Sequence, residues 1–291
     1  MNNTQVITHR GLDPSQKNYF RESSVEAFTN QLKRGYGLEF DLRVTKDKKI
    51  VVIHDETLER ITYGVDTRKI SEVDSSEILA MNFSGSHITT FDTLLRLIQE
   101  FQVPDAVSAI HLKIGSQEKE SLDLILAYLE NTDTLRFYIF DTTVETAKYL
   151  KEKNSLLRII PSVAHPYDIK RYGSVVGGTL LSLDEVLSNR ELFSGVWLDE
   201  WDLLDEGGAT KKLYTQEVFD ICRNAGLWIG LVTPELHGTS PGLLGGEAHP
   251  DALSFEVLSV RLKEIASLRP DAICTDYPDY VKNLVSKNNS L

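Results

Sequence analysis

Eight short apolar segments recur along the chain, at residues 5–8, 37–44, 109–114, 136–141, 157–163, 195–199, 227–232 and 272–275. The stretches between them, including 24–34, 117–130, 143–151 and 213–225, carry helical periodicity. In the second of these, Leu122, Ile125, Leu126 and Leu129 fall on one stripe at helical spacing. Alternation of this kind excludes separate all-α and all-β parts and predicts an α/β chain with a parallel sheet. Eight strand–helix repeats predict a (β/α)8 TIM barrel over 1–291 as a single domain. Ser23, with Glu26 three residues on, reads as a capping box for the first helix, and Gly226 as the stop of the helix ending at Ala225.

A ninth extended run, 49–53, follows the second strand after too few residues for a parallel crossover, so it reads as the return arm of a hairpin. With the turn centred on Asp47 and Lys48, paired residue numbers sum to about 95 and His54 lands opposite Asp41. Residues 55–90 carry turn signals and a short helical piece around 76–81, and read as a small inserted cap. Residues 233–252, rich in Gly and Pro, read as a long loop over the barrel mouth.

Charge narrows the function classes. With 31 Lys and Arg against 43 Asp and Glu, the formal net charge is -12, which excludes a basic nucleic-acid coat. The excess is uneven, because residues 1–60 hold ten basic and nine acidic side chains and leave room there for an anionic ligand. There is no apolar run of membrane-spanning length and no amphipathic anchor. Residues 1–8 lack a basic start and an apolar signal core, so a cytoplasmic location is expected. Cys222 and Cys274 give neither a disulfide framework nor a metal spacing and read as small buried hydrophobes.

The second strand reads Leu38-Glu39-Phe40-Asp41-Leu42, and its period of two puts both carboxylates on one face. In a barrel the outer face is covered by helices, so Glu39 and Asp41 point inward, where a hard divalent ion would relieve their repulsion. The third strand repeats the device with His111 and Lys113. Lys113 either neutralises a phosphate oxygen or salt-bridges a carboxylate; His111 either ligates a metal or makes a polar contact. His9-Arg10-Gly11 follows the first strand at once, where barrel enzymes carry active residues, and Arg10 offers a bidentate fork for phosphate. His54-Asp55 supplies a second imidazole, so that two imidazoles flanking a phosphodiester can serve as base and acid.

These residues resemble the glycerophosphodiester phosphodiesterase family. That family opens with His-Arg-Gly, then a Glu-Asn-Thr helix start, Glu-x-Asp, Thr-Lys-Asp and Val-Val-x-His-Asp. Here they read His9-Arg10-Gly11, Glu22-Ser23-Ser24, Glu39-Phe40-Asp41, Thr45-Lys46-Asp47 and Val51-Val52-Ile53-His54-Asp55. Near the other end, Cys274-Thr275-Asp276-Tyr277-Pro278 is similar to the family's last strand and exit. The resemblance implies a barrel hydrolase for small glycerol- or sugar-linked phosphodiesters, with bound Mg²⁺ or Ca²⁺. It implies His9 and His54 as the acid/base pair, Arg10 and Lys113 as phosphate holders, and Glu39 and Asp41 as ion ligands. The attacking group is water or a neighbouring substrate hydroxyl. Relatives that transfer the phosphoryl group or form a cyclic phosphate, and a non-catalytic phosphodiester binder, are the alternative readings.

One position departs. The family carries Glu-Leu-Lys or Glu-Ile-Lys on the third strand, whereas this chain has His111-Leu112-Lys113. Imidazole in place of carboxylate suits Mn²⁺ or Zn²⁺ better than Ca²⁺. The family's Trp-Thr-Val-Asn run is replaced by Trp228-Ile229-Gly230-Leu231-Val232-Thr233. Trp197, Asp199 and Trp201 share a face if the sixth strand stays extended, and Trp201, Glu235 and His237 are the further candidates for substrate contact. His87, His165 and His249 have no partners by spacing and read as surface histidines.

Overall fold

A computed structural model describes residues 4–17, 20–81, 85–201, 204–239 and 249–288. Contacts divide the chain into two compact units, Thr8–Phe137 and the remainder, Met1–Ile7 with Tyr138–Leu291. Residues 240–248 of the expected 233–252 loop lie outside the described residues.

Strand β1 (Gln5–His9) runs into the Thr8–Phe137 unit, which holds β2 (Gly37–Val44), β3 (Ile50–Val52), β4 (Thr89–Thr90) and β5 (Ser108–His111). Alternation along β2 works as expected: Leu38, Phe40 and Leu42 are fully buried among apolar side chains. The Phe40 ring meets Phe28 of the helix Val25–Lys33 at 6.4 Å and Phe91 of the helix Phe91–Phe101 at 6.0 Å. That helix-covered side forces Glu39 and Asp41 onto the opposite side. β5 runs parallel to β2 with Glu39 beside Ala109 and Asp41 beside His111.

The hairpin forms, but its register is one residue off the expected one. Leu42 pairs with Val52, Arg43 with Val51 and Val44 with Ile50, and Ile53 rather than His54 donates its N–H to the Asp41 carbonyl. The cause is an odd loop. Lys48 adopts a left-handed φ of 56° after a turn closed by Lys48 N–H to Thr45 C=O at 3.0 Å, the three-residue form of hairpin loop. Asp47 fixes that turn, accepting from Thr45 Oγ1 at 2.6 Å and from the N–H and hydroxyl of Ser75 at 2.8 and 2.7 Å. The 55–90 segment thus starts its helix, Ser75–Ala80, on the hairpin. Leu58, Ile61, Ile70, Val73, Ile78 and Ile88 bury one apolar cluster against Val51 and Ile53.

Two further local expectations shift. Ser24, not Ser23, caps the first helix, accepting from Ala27 N–H at 3.1 Å, because Ser23 sits at φ 55°. Glu26 instead binds the backbone and ring of His87. β5 ends at His111, since a 3₁₀ turn (Ile114–Ser116) takes over and Ser116 Oγ donates to the Leu42 carbonyl at 3.0 Å. Ile114, expected on the apolar face, is half exposed as a result.

The other unit holds β6 (Phe137–Phe140) from its second residue on, β7 (Ser162–Val163), β8 (Leu180–Leu181), β9 (Gly195–Leu198), β10 (Trp228–Val232) and β11 (Ala272–Thr275). β7 pairs in parallel with β8 and β9, and β10 with β9 and β11. Tyr138 stacks on Trp228 and Phe140 on Trp197, with ring centroids 4.1 and 4.7 Å apart. Gly230 makes room for both indoles, because a Cβ there would lie 2.5 Å from Trp228 and 2.8 Å from Trp197. Cys222 and Cys274 are both buried, as expected, and burial pushes the Cys222 thiol up to about 11.

Candidate active site

Seven of the sequence candidates fall within the Thr8–Phe137 unit: His9, Arg10, Glu39, Asp41, His54, His111 and Lys113. Local turns and contacts at the end of β1 and of the hairpin place several of them. Arg10 and Gly11 are consecutive left-handed residues at φ 52° and 75°, which turn the chain sharply after β1. A Cβ on Gly11 would lie 3.0 Å from the Cβ of Ala27, so the helix Val25–Lys33 packs against a glycine-sized gap. Arg10 N–H donates to the Glu39 carbonyl at 3.0 Å, joining the turn to β2. Arg43 donates two hydrogen bonds to the His54 carbonyl, at 3.2 and 2.8 Å, and holds the end of the hairpin.

Asp41 is the electrostatic centre. It is fully buried, with Lys113 Nζ and His111 Nδ1 each 2.8 Å from Oδ1 and Arg10 Nε 3.2 Å from Oδ2. Burial pushes its carboxyl up, but Lys113 and then Arg10 outweigh this and hold it well below the usual carboxylate range. Burial likewise lowers Lys113, with Asp41 opposing. Lys113 and His111 thus both meet the Asp41 carboxylate directly. Lys113 does so from an extended residue beyond the strand end.

Glu39, Asp41 and His111 each offer a ligand atom, all within 4.8 Å of one another, the single such group among the described residues. Glu39 Oε2 is buried and receives no hydrogen bond among the described residues. A buried carboxylate oxygen lacking a donor, beside a second carboxylate and an imidazole nitrogen, fits a divalent cation.

The two imidazoles are both buried, at 4% exposure for His9 and 5% for His54. Burial, then the charge of Arg10, pushes His9 down to about 3; burial, then Lys113 and Arg10, does the same to His54. Both rings are therefore neutral near pH 7. His54 Nδ1 lies 2.7 Å from Asp55 Oδ1. Asp55 is held at about 2: burial raises it, and hydrogen bonds from His54 and Arg60 outweigh that. An ionised Asp55 only accepts, so Nδ1 of His54 carries the proton and Nε2 is left unprotonated.

Sequence reasoning passed over Arg60, whose Nε lies 2.5 Å from Asp55 Oδ2 and whose NH2 pairs with Glu22. Glu22 in turn lies 3.3 Å from Arg10 NH1. An ion pair at a sequence separation of 38 residues carries no periodic signal, and only the resemblance at Glu22 hinted at it.

The remaining candidates lie in the other unit. Trp201 packs on Tyr172 with centroids 4.9 Å apart, and Trp197 is core. His237 Nε2 lies 3.3 Å from Asp199 Oδ1. Glu235 accepts from the hydroxyls of Thr233 and Thr275, both at 2.6 Å, and from Asp276 N–H at 3.1 Å. Burial, then the charge of Asp276, pushes its carboxyl up to about 7. His249 is not a surface histidine: it is 2% exposed, and its Nδ1 accepts from Asp251 N–H at 3.1 Å.

Residues 9–172, more than half of the chain, match the model of the glycerophosphoryl diester phosphodiesterase family. The glycerophosphodiester phosphodiesterase of Caldanaerobacter subterraneus subsp. tengcongensis is 35% identical over 126 residues, 40% of this chain and 50% of that protein. The chain thus spans about half the length of this curated relative. A glycerophosphoryl diester phosphodiesterase structure from Parabacteroides distasonis aligns with a TM-score of 0.66 at 20% identity, covering 99% of this chain and 87% of that one. An Oleispira antarctica phosphodiesterase in complex with the product sn-glycerol-3-phosphate aligns at 0.65 and 14% identity, covering 98% and 97%. The fold is the expected α/β class, a (β/α)8 TIM barrel. The chain belongs to the glycerophosphoryl diester phosphodiesterase family. No helix among the described residues is long and apolar enough to cross a membrane.

Proposed function

We propose that this chain is a metal-assisted phosphoric diester hydrolase that cleaves a small glycerol- or sugar-linked phosphodiester into a phosphomonoester and an alcohol. The observation that carries the reading is the convergence on buried Asp41 of Arg10, His111 and Lys113, with Glu39 completing a ligand group. Cations set beside two carboxylates suit a ligand that is itself anionic and arrives with a cation.

Glu39, Asp41 and His111 would hold the ion, which when bound supplies charge stabilisation at a phosphoryl oxygen. The His111 nitrogen favours Mn²⁺ or Zn²⁺ ahead of the family's Mg²⁺ or Ca²⁺. Arg10 and Lys113 hold the phosphate. His54 Nε2 takes the proton of the attacking water as its oxygen bonds to phosphorus. The bond from phosphorus to the leaving oxygen breaks, and His9 returns a proton to that oxygen. An anionic diester beside His9 would raise its proton affinity above the level that burial and Arg10 set.

Phosphorus NMR of a glycerophosphodiester turned over in ¹⁸O-labelled water tests the reading. An isotope-shifted phosphomonoester as the first product is the expected result. A cyclic phosphate appearing first assigns the attack to a substrate hydroxyl, and no product with any of the four ions overturns the proposal.

A further inference from the structure

Arg60 lies outside the motifs named above, yet it closes a continuous chain of hydrogen bonds and ion pairs. The chain runs from His54 to Asp55 at 2.7 Å, from Asp55 to Arg60 at 2.5 Å, through Glu22 to Arg10 at 3.3 Å, and from Arg10 to Asp41 at 3.2 Å. We propose that Arg60 is the positioning residue of the site. It sets the His54 ring through Asp55 and the Arg10 fork through Glu22. This rests on the functional reading above and adds to it the device that holds both groups in place.

Each link has a physical reason. A carboxylate has two oxygens, and one contact leaves it free to rotate. Asp55 gives Oδ1 to His54, and Arg60 takes Oδ2 through Nε while NH2 lies 3.2 Å from Oδ1. Such forked pairing fixes the carboxylate plane, and with it the ring that donates to it. Glu22 is shared between two guanidiniums, so Arg10 meets only part of its charge and keeps its remaining attraction for phosphate. Remove Arg60 and Glu22 turns fully on Arg10.

The backbone that carries Arg60 is anchored by its neighbours. Leu58 is fully buried, Ile61 is 6% exposed, and Arg21 donates to the Ile61 carbonyl at 3.2 Å. Arg60 itself keeps 37% of its side chain exposed, so the 55–90 segment places a replaceable clamp at the edge of the site rather than a core residue.

The test uses the full chain with Arg60→Ala, Arg60→Lys and, as a control on the same segment, Arg68→Ala, whose side chain pairs with Asp66 and Glu77. Arg60→Ala should lower kcat by about 10- to 100-fold, as loss of an orienting partner does at metal sites, with a smaller rise in KM. Millimolar guanidinium should restore part of that kcat through the exposed edge, Arg60→Lys should fall between, and Arg68→Ala should match the parent. Nitrogen-15 NMR gives a readout that needs no turnover: His54 should show a single Nδ1–H tautomer in the parent and lose it in Arg60→Ala. A kcat within twofold of the parent, or an Arg60→Ala protein with the His54 tautomer intact, overturns the inference. If the parent itself turns over no diester, the functional reading fails and the tautomer measurement alone decides the role of Arg60.

Discussion

His54→Ala should cut turnover of a glycerophosphodiester by about 10²- to 10⁴-fold, the range of a lost general base, while leaving KM within a few-fold. The ring is one of three imidazoles in the site, with His9 and His111, and is the one held in a single tautomer by Asp55, so no other side chain takes its place at Nε2. The same substitution has a signature in stability. His54 is held at about 3 in the folded chain against 6.5 when unfolded, so below pH 6.5 the unfolded state binds more protons. Stability therefore falls as pH drops from 6.5 toward 3, by up to about 1.4 kcal/mol per pH unit for each such ring. Chemical unfolding at pH 7 and pH 5 should show a shallower acid loss in His54→Ala than in the parent. Equal slopes would mean that the ring is not held neutral, and unchanged turnover would remove it from catalysis.

Asp41→Asn should be the most damaging single change in the unit. The carboxylate is fully buried and offsets Lys113, Arg10 and any proton on His111; removing its charge takes the carboxylate partner from buried Lys113 and one of the two from Arg10. Breaking one side of a buried pair costs about 3–5 kcal/mol, and here one residue serves two permanent cations. Urea unfolding should show a loss at least that large, and calorimetry should show ion binding abolished, because the amide oxygen carries no charge for the cation. A variant as stable as the parent that still binds the ion would show that Asp41 is neither the charge centre nor a ligand.

Much of this was legible in one sequence, for reasons visible in particular residues. β2 and β11 have the expected bounds because both are apolar runs with clear edges, and period-two alternation placed Glu39 and Asp41 together. β8 went unread because Leu180–Leu181 is two residues long, below any periodic signal. The hairpin slipped by one because the left-handed Lys48 turned an expected two-residue turn into a three-residue loop. Ser23 misled the helix cap for the same kind of reason, a positive φ on a residue that does not advertise it. In the site, side chains delivered by strand ends were readable, and Arg60 was not, since a loop residue reaching back to Glu22 leaves no spacing to read.

The most direct measurement is the initial rate of glycerophosphodiester hydrolysis by chelator-treated protein as a divalent ion is titrated back. The account predicts no turnover without ion and a rate that saturates at one ion per chain. It also predicts loss of that response in Glu39→Gln, whose Oε2 position supplies a buried acceptor to the ligand group. Undiminished turnover in the chelator-treated protein, or a Glu39→Gln response equal to the parent's, would contradict it.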